Sequence, residues 1–440
     1  MNQSGASTAA TVEPKMTGAL VLGSLLGLSA GSVGLTWQVG PLNLSSAFLA
    51  AALVLAFLII PAGSLSTLRI RAFDWIALAY AVMMVVIENI DASTLRHDPS
   101  PAFANTALYY FAAYVATRLA IHNLASLRRF LIGIAWPGIP VALLGVLQLA
   151  GFQPVSDFLL SQTNSSALVN RTELGAAVRA TSTIGHWTAL GAYLCCIVAV
   201  ACVLLVIDRN HRGRMSPFAL VTIAIGSLGV VSTVTFASIM VVGVVVLVTG
   251  YVAGIGGRLI VLLTIGSGIA WGVFGTLITD RVEKQATTTA NIPPELAWLP
   301  QTIGFRLVLW FNEGIPTWLQ QPVFGWGQGL WHDSASWPTL PASMTWAAPE
   351  SEWIKALAAS GAVGFILLML LLGGFFISVG RARKSDLGRA AVPLLALLIG
   401  LVIASFIAPY FTNQGAPAVL WPVIGALAWK ANSRDRKVLT

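Results

Sequence analysis

Runs of about 20 mostly apolar residues recur along almost the whole chain, and this feature restricts the fold more than any other. A helix of that length crosses the roughly 30 Å hydrocarbon core of a bilayer. The runs lie near 18–36, 44–64, 72–90, 103–121, 129–151, 184–207, 216–233, 235–255, 259–278, 351–379, 389–409 and 412–430. They predict an all-α, polytopic integral membrane protein with about 12 transmembrane helices; eleven or thirteen also fit, because "TVTFAS" is a short turn.

The distribution of charge along the chain predicts the orientation of these helices. Most of the 25 Lys and Arg residues fall on the connections that share a side with the N-terminus, and most of the 17 Asp and Glu residues fall on the opposite side. Basic connections stay in the cytoplasm. Both termini are therefore expected to be cytoplasmic. Orientation in the membrane also explains the net charge of +8, so membrane lipids are expected partners and nucleic acid is not.

Two long connections on the outer side divide the chain into predicted regions. These are a disordered cytoplasmic tail (1–17), helices 1–9 with an outer loop at 152–183 (18–279), a large outer loop (280–349), helices 10–12 (350–430) and a second cytoplasmic tail (431–440). The large loop is rich in proline and tryptophan. Such aromatic density is typical of a segment at the membrane surface, and it predicts short amphipathic helices there.

Within the large loop, the stretch "GFRLVLWFNEGIPTWLQQPVFGWGQGLW" contains the most distinctive pattern. Arg306, Trp310 and Trp318 recur at near-helical spacing, followed by a proline and a glycine-rich turn. The glycines lack the lysine of a nucleotide-binding loop and the spacing of a dinucleotide motif, so a structural turn is the favoured interpretation. The three cysteines lie in one apolar run and form no metal-binding pattern. No cofactor and no metal are expected.

Two segments resemble the O-antigen ligase and O-antigen polymerase family. The loop segment, with the helix ending in "ASGAVGF", carries the family's Arg, Trp, Pro, Gly-x-Gly and Gly-x-x-Gly at Arg306, Trp310, Pro322, Gly325, Gly327, Gly361 and Gly364. The second segment, "RATSTIGHWTALGAYL", is similar to the family's stretch after the smaller outer loop and matches it at Arg179, Gly185, His186 and Gly191. Family ligases carry a histidine eleven residues before the first glycine of Gly-x-x-Gly. Glu350 stands at that position here.

The resemblance implies a metal-independent glycosyltransferase of the bacterial inner membrane, with its active site facing the periplasm. The expected donor is a glycan linked to undecaprenyl diphosphate, and the acceptor is a glycan or lipid A-core. The glutamate in place of histidine favours polymerisation of O-antigen or exopolysaccharide repeat units over ligation of finished chains to lipid A-core. Other polysaccharide-assembly proteins are further expected partners. A transporter or lipid flippase is the more remote alternative. Such proteins carry ionisable groups deep inside several spans, whereas charged residues are scarce in the middle of the predicted spans here.

The implied reaction needs cations on the diphosphate and a base for the acceptor hydroxyl. Arg179, Arg306 and Arg281 are the expected diphosphate ligands, because arginine binds phosphate through a planar pair of donors. Glu350 and His332 are the expected catalytic bases, with a helix-start carboxylate and a packed loop histidine as their alternative roles. The supporting residues are His186, Glu352, Trp310, Gly325 and Gly327. Glu350 and Glu352 diverge by about 200° on a helix, so at most one reaches the substrate.

Overall fold

The described part of the chain is mainly helical. The computed structural model describes residues 6–60, 70–95, 101–173, 179–257, 268, 271–272, 275–276, 279, 283, 292–296, 298–299, 301–327, 350–385, 387–412 and 415–428. Within these residues the strands are confined to one antiparallel hairpin of Gln38–Val39 and Leu42–Asn43. Four helical segments are long and apolar enough to cross a membrane, namely Ala72–Asn89, Leu124–Leu149, Trp187–Arg212 and Glu352–Arg383, and six shorter helices are also apolar. This architecture fits a polytopic membrane protein.

The helices occupy the positions that the apolar runs predict. The first half contains α1 (Ala6–Gly31), α2 (Leu44–Ile59), α3 (Ala72–Leu95), α4 (Pro101–Ala120), α5 (Leu124–Ala135), α6 (Gly138–Leu149), α7 (Gln153–Gln162) and α8 (Ser166–Glu173). The second half contains α9 (Trp187–Arg212), α10 (Pro217–Ser232), α11 (Phe236–Val252), α12 (Gln301–Leu309), α13 (Ile315–Gln320), α14 (Glu352–Arg383), α15 (Val392–Ala404) and α16 (Ala416–Leu427).

The structure differs from the sequence-based expectation at two places. The segment 1–17 was expected to be disordered, but α1 already begins at Ala6. The run 129–151 forms two helices rather than one, because Pro137 at the α5–α6 junction cannot donate a backbone hydrogen bond. Most of the run 259–278 and the tail 431–440 lie outside the described residues.

Helix α9 is the central helix of the bundle. Its apolar window is completely buried inside the protein, and α5, α10, α11, α15 and α16 pack around it. Its sequence is apolar on every face from Ala189 to Ile207, which is the pattern expected for an enclosed helix. The N-terminal end of α9 is therefore held at a fixed place in the middle of one end of the bundle.

Small residues let some neighbouring helices approach very closely. Gly23 of α1 faces the backbone of Phe130 in α5, and Gly133 of α5 faces the backbone of Leu20 in α1. A Cβ atom on either glycine would overlap a carbonyl oxygen of the other helix. This reciprocal contact is the small-residue packing that brings helices together in a bilayer, where apolar burial gives little driving force.

Candidate functional site

The candidate site lies at the end of the bundle where α9 and α14 begin. Four segments meet there: the irregular stretch before α9, the turn between α10 and α11, the chain between α15 and α16, and the helical part of the large loop. Helix α8 lies between α7 and α9 in the sequence, and its Arg171 contacts Trp187 at the start of α9. The segments that carry Arg179, Arg306 and Glu350 therefore meet at this end of the bundle.

Arg179 is buried and tightly oriented by the α10–α11 turn. Its Nε donates to the carbonyl oxygen of Thr233 at 3.0 Å, and its Nη2 donates to Val234 O at 3.2 Å and Thr235 Oγ1 at 2.8 Å. Val234 adopts a left-handed backbone conformation, with φ at 49°. That conformation is strained for a β-branched residue. It brings successive carbonyl groups of the turn onto one guanidinium, so Arg179 is held in place before any ligand arrives.

Arg306 forms an ion pair with Glu350. Arg306 lies in α12, which continues into a five-residue π-helical turn, Trp310–Gly314. Such π turns are rare and are often found at functional sites. Glu350 lies just before α14, and 39% of its side chain remains exposed. The ion pair therefore joins the large loop to the start of α14 at a position that solvent reaches.

Tyr410 belongs to a segment that contacts both α11 and the start of α14. It is fully buried between α15 and α16, and its hydroxyl lies 3.3 Å from Ser238 Oγ in α11. Burial raises the pKa of Tyr410 to about 12, while the charges of Arg179 and Arg306 both act on its hydroxyl in the opposite direction. Both guanidinium charges favour the ionised form of this phenol, although the two arginines belong to distant parts of the sequence.

His186 caps the N-terminus of α9 with its side chain. Its Nδ1 accepts from the backbone N–H of Thr188 at 3.2 Å and lies 2.7 Å from Thr188 Oγ1. Burial lowers the pKa of His186 to about 4, and the nearby charges of Arg179, Lys355 and Arg171 lower it further. A base with so low a pKa is poorly suited to accept a proton at neutral pH. The geometry gives His186 the part of a neutral helix cap.

Glu352 is the first residue of α14 and is completely buried, whereas Glu350 precedes the N-cap Ser351, so the expected divergence of the two glutamates on one helix does not apply. Its Oε2 accepts hydrogen bonds from the backbone N–H groups of Tyr410, Phe411 and Thr412 at 2.6, 2.7 and 3.3 Å. The backbone N–H of Glu352 also donates to Ser405 O at 2.9 Å. Glu352 therefore fastens the beginning of α14 to the segment that carries Tyr410.

The glycine turn of the large loop inserts into a break in α14. Gly361 interrupts this helix with φ at 62°. The exposed backbone groups are satisfied by the loop: Trp326 N and Gly327 N donate to the carbonyl groups of Ala358 and Ala359 at 2.9 and 2.8 Å. In return, Ala362 N and Val363 N donate to Pro322 O and Val323 O at 2.9 and 3.2 Å.

Close approach explains the glycines of this junction. A Cβ on Gly325 would lie 2.6 Å from Gly361 N, and a Cβ on Gly361 would overlap the carbonyl group of Val323. Gly325 and Gly327 both have positive φ, 80° and 89°. These glycines form a backbone junction between loop and helix, in agreement with the structural turn favoured by their sequence.

Two of the predicted site residues, Arg281 and His332, lie outside the described residues. Trp310 begins the π turn next to Arg306. Three further residues of the site were missed at the sequence level. Lys355 is only 4% exposed, and its charge adds to the effect of burial in lowering the pKa of His186. Tyr410 and Arg171 are the others. Among these three residues, a sequence signal was available for Lys355, which is a lysine near the start of an apolar helix.

Comparison with known proteins adds no assignment. No protein-family model matches the chain, and no curated protein matches it.

Proposed function

We propose that this protein is a membrane glycosyltransferase that acts on polyprenyl-diphosphate-linked glycans and polymerises their repeat units. The proposal rests on two arginines, the fixed Arg179 and the ion-paired Arg306, whose segments meet at the end of the bundle where Tyr410 and the start of α14 lie. The likeness of the surrounding motifs to O-antigen polymerases and ligases supports the choice of undecaprenyl diphosphate as carrier. Ligation of finished glycan to lipid A-core is the alternative.

The two arginines suit the binding of a diphosphate leaving group. Negative charge grows on the departing oxygen when the bond between the sugar and the diphosphate breaks, and fixed cations stabilise that charge most effectively. Arg179 is fixed by three hydrogen bonds, so little reorganisation is needed. The guanidinium of Arg306 is planar and permanently charged. A diphosphate can replace its partner Glu350, because both side chains are partly exposed.

Glu350 is proposed as the base. When the diphosphate binds Arg306, it competes with the carboxylate of Glu350 for the same guanidinium. The released carboxylate then accepts the proton of the acceptor hydroxyl, whose oxygen attacks the anomeric carbon of the donor sugar. The bond from that carbon to the phosphate oxygen breaks, and undecaprenyl diphosphate leaves with the electron pair. No metal ion takes part in this scheme.

We further propose about 12 spans in the bacterial inner membrane, with both termini in the cytoplasm and the site facing the periplasm. The unequal distribution of basic residues supports this orientation. Single cysteines placed at Gln320 and at Lys384 test it in a variant without native cysteines. A membrane-impermeant maleimide should label position 320 in cells with a permeabilised outer membrane, and position 384 only after lysis. The reverse pattern contradicts the orientation.

The decisive experiment supplies the purified protein with a lipid-linked repeat unit alone or together with lipid A-core. Polymerase activity gives a ladder of longer lipid-linked glycans without lipid A-core. Ligase activity gives product only when lipid A-core is present. Absence of both products from a folded protein, with lipid-linked donor intact, contradicts the proposed function.

A further inference from the structure

The hydroxyl groups of Tyr410 and Ser238 meet inside the bundle, with their oxygen atoms 3.3 Å apart. Tyr410 is completely buried, and Ser238 is only 1% exposed. Helix α9 lies against the same place, since the thiol of Cys195 donates to Ser238 O at 3.4 Å. This hydrogen bond therefore belongs to the interior of the protein, and it joins α11 to the chain between α15 and α16.

On the α11 side, this hydrogen bond lies one helical turn from the groups that hold Arg179. Thr235 is the N-cap of α11, and Ser238 is the third residue of that helix. The guanidinium of Arg179 donates to Thr233 O, Val234 O and Thr235 Oγ1. Because Ser238 and Thr235 belong to the same helical turn, a shift of Ser238 moves the acceptors that orient Arg179.

On the other side, the backbone of the same tyrosine leads to Arg306. Tyr410 N donates to Glu352 Oε2 at 2.6 Å. Glu352 is the first residue of α14, and Glu350 lies two residues before it. Glu350 in turn forms the ion pair with Arg306. One continuous series of contacts thus runs from Arg179 through Tyr410 to Arg306.

Gly191 of α9 leaves the space that the Ser238 hydroxyl occupies. A Cβ atom on Gly191 would lie 2.5 Å from Ser238 Oγ and 3.0 Å from Ser238 Cβ. Both distances are shorter than the separation of about 3.5–4.0 Å at which non-bonded atoms attract each other. An alanine at this position must therefore displace the serine hydroxyl that meets Tyr410.

The separation of two arginines matters most for a ligand that needs both of them. Fixed charges stabilise a reacting group because they are already in place, and a misplacement of about 1 Å can cost about 10²-fold in rate. A diphosphate has two phosphate groups and can bind two cations at once, whereas a single phosphate needs only one arginine. A change in the separation should therefore weaken diphosphate binding more than monophosphate binding.

We propose that Tyr410, acting through Ser238, is a positioning residue that sets the separation between Arg179 and the Arg306–Glu350 pair. Its hydroxyl holds the start of α11, and its backbone holds the start of α14. Tyr410 itself does not contact the substrate, because it is completely buried. This inference rests on the proposed function for its ligand, a polyprenyl diphosphate. The positioning role is tested by binding, without turnover.

The test uses the purified full-length protein in lipid nanodiscs, with geranyl diphosphate and geranyl monophosphate as probes. Isothermal titration should show that the wild-type protein binds the diphosphate more tightly. Tyr410→Phe removes only the hydroxyl and should weaken diphosphate binding by about 3- to 10-fold, as expected for the loss of one hydrogen bond. The affinity for the monophosphate should stay nearly unchanged. Equal weakening of both probes indicates a general loss of packing and overturns the proposal.

Tyr193→Phe is the matched control. Tyr193 is also completely buried, and its hydroxyl has no hydrogen-bond partner among the described residues. This variant should bind both probes like the wild type. Ser238→Ala should reproduce the effect of Tyr410→Phe. The double variant should lose no more affinity than either single variant, because both substitutions remove the same hydrogen bond.

Gly191→Ala tests the same contact from α9. It should weaken the binding of geranyl diphosphate selectively, since its Cβ displaces the Ser238 hydroxyl. Gly243→Ala in α11 should not, because a Cβ at Gly243 meets nothing within 4 Å. Thermal unfolding shows whether each variant is folded. Wild-type affinity for geranyl diphosphate in both Tyr410→Phe and Gly191→Ala overturns the proposal.

The two proposals fail separately in these experiments. If diphosphate binding depends on the Tyr410 hydroxyl but no lipid-linked glycan is elongated or transferred, the positioning role stands and the glycosyltransferase function is contradicted. If wild type and Tyr410→Phe elongate glycan at equal rates and bind geranyl diphosphate equally, the function stands and the positioning role is contradicted.

Discussion

Arg306 and Glu350 form an ion pair that joins the helical part of the large loop to the start of α14. Arg306 matches a position of the family signature, and Glu350 replaces a histidine of it. The sequence alone assigned Arg306 to the diphosphate and Glu350 to the acceptor hydroxyl, without a contact between them. Their contact indicates that the cation and the base of the proposed reaction are coupled. In the proposed scheme, Glu350 neutralises Arg306 before the substrate binds, and substrate binding changes the partner of the carboxylate.

Arg306→Lys is expected to lower the rate of glycan transfer strongly while the protein still folds and inserts. Lysine keeps the charge but loses the two-pronged geometry that matches a phosphate. Arg306→Ala should be lower still, by about 10²-fold or more, as is typical when a group that stabilises developing charge is removed. The measurement is product formation from purified lipid-linked donor at equal protein concentrations. Near-normal activity of Arg306→Ala would leave this residue as an anchor of the loop.

Glu352→Gln is expected to destabilise the protein. The glutamine amide replaces a carboxylate that accepts three backbone N–H groups. Hydrogen bonds to a charged acceptor contribute about 1.5–3 kcal/mol each, so a clear fall in the thermal unfolding temperature should result. Glu295→Gln, at an exposed glutamate of the large loop, is the control. An unchanged unfolding temperature for Glu352→Gln would show that this contact contributes little.

Gly361→Ala is expected to separate the loop from α14. An alanine there adopts a strained positive φ, at a cost of about 1–3 kcal/mol, and its Cβ overlaps the carbonyl of Val323. Gly373→Ala on the same helix is the control, since a Cβ at Gly373 meets nothing within 4 Å. Limited proteolysis of the 301–327 segment measures the effect. Cleavage at the same rate in both variants would contradict a docked turn.

The sequence predicts the helices, but it does not predict the contact between the glycine turn of the large loop and α14. Apolar runs predict the helices because each run must be buried in lipid or protein, and Pro137 marks the α5–α6 break. The pairing of Gly325 with Gly361 depends on tertiary contact, which no local spacing encodes. The partners of Glu352 were not predictable either, because they come from the chain before α16.

His186 gives the stability of the protein a defined pH dependence. Its pKa is lowered from 6.5 to about 4 in the folded state, so the unfolded chain binds a proton first as the pH falls. Stability should therefore decrease between about pH 6.5 and pH 4 and level off below that range. His186→Gln should reduce this slope, whereas His211→Gln, at an exposed position, should not. Thermal unfolding across pH measures it, and equal slopes for wild type and His186→Gln would contradict a histidine that stays neutral in the folded protein.

Glu350→Gln provides the most direct test of the proposed base. Glutamine preserves the size of the side chain and can still accept a hydrogen bond from Arg306, but it cannot take up the proton of the acceptor hydroxyl. Turnover should fall by about 10²–10⁴-fold, the range typical of a general base, while binding of the lipid-linked donor stays largely intact or strengthens. Donor binding strengthens if the glutamine, which attracts Arg306 less than the carboxylate does, leaves the guanidinium free to bind the diphosphate.

Glu350→His distinguishes a base from an ion-pair partner. A histidine reaches a similar distance and accepts a proton near neutral pH, so it should restore part of the activity lost in Glu350→Gln, and its rate should rise with pH through the titration of the imidazole. An ion-pair role predicts the opposite order, because a protonated histidine repels Arg306 whereas glutamine does not. Wild-type turnover in Glu350→Gln would exclude Glu350 as the base and make His332 the next residue to substitute.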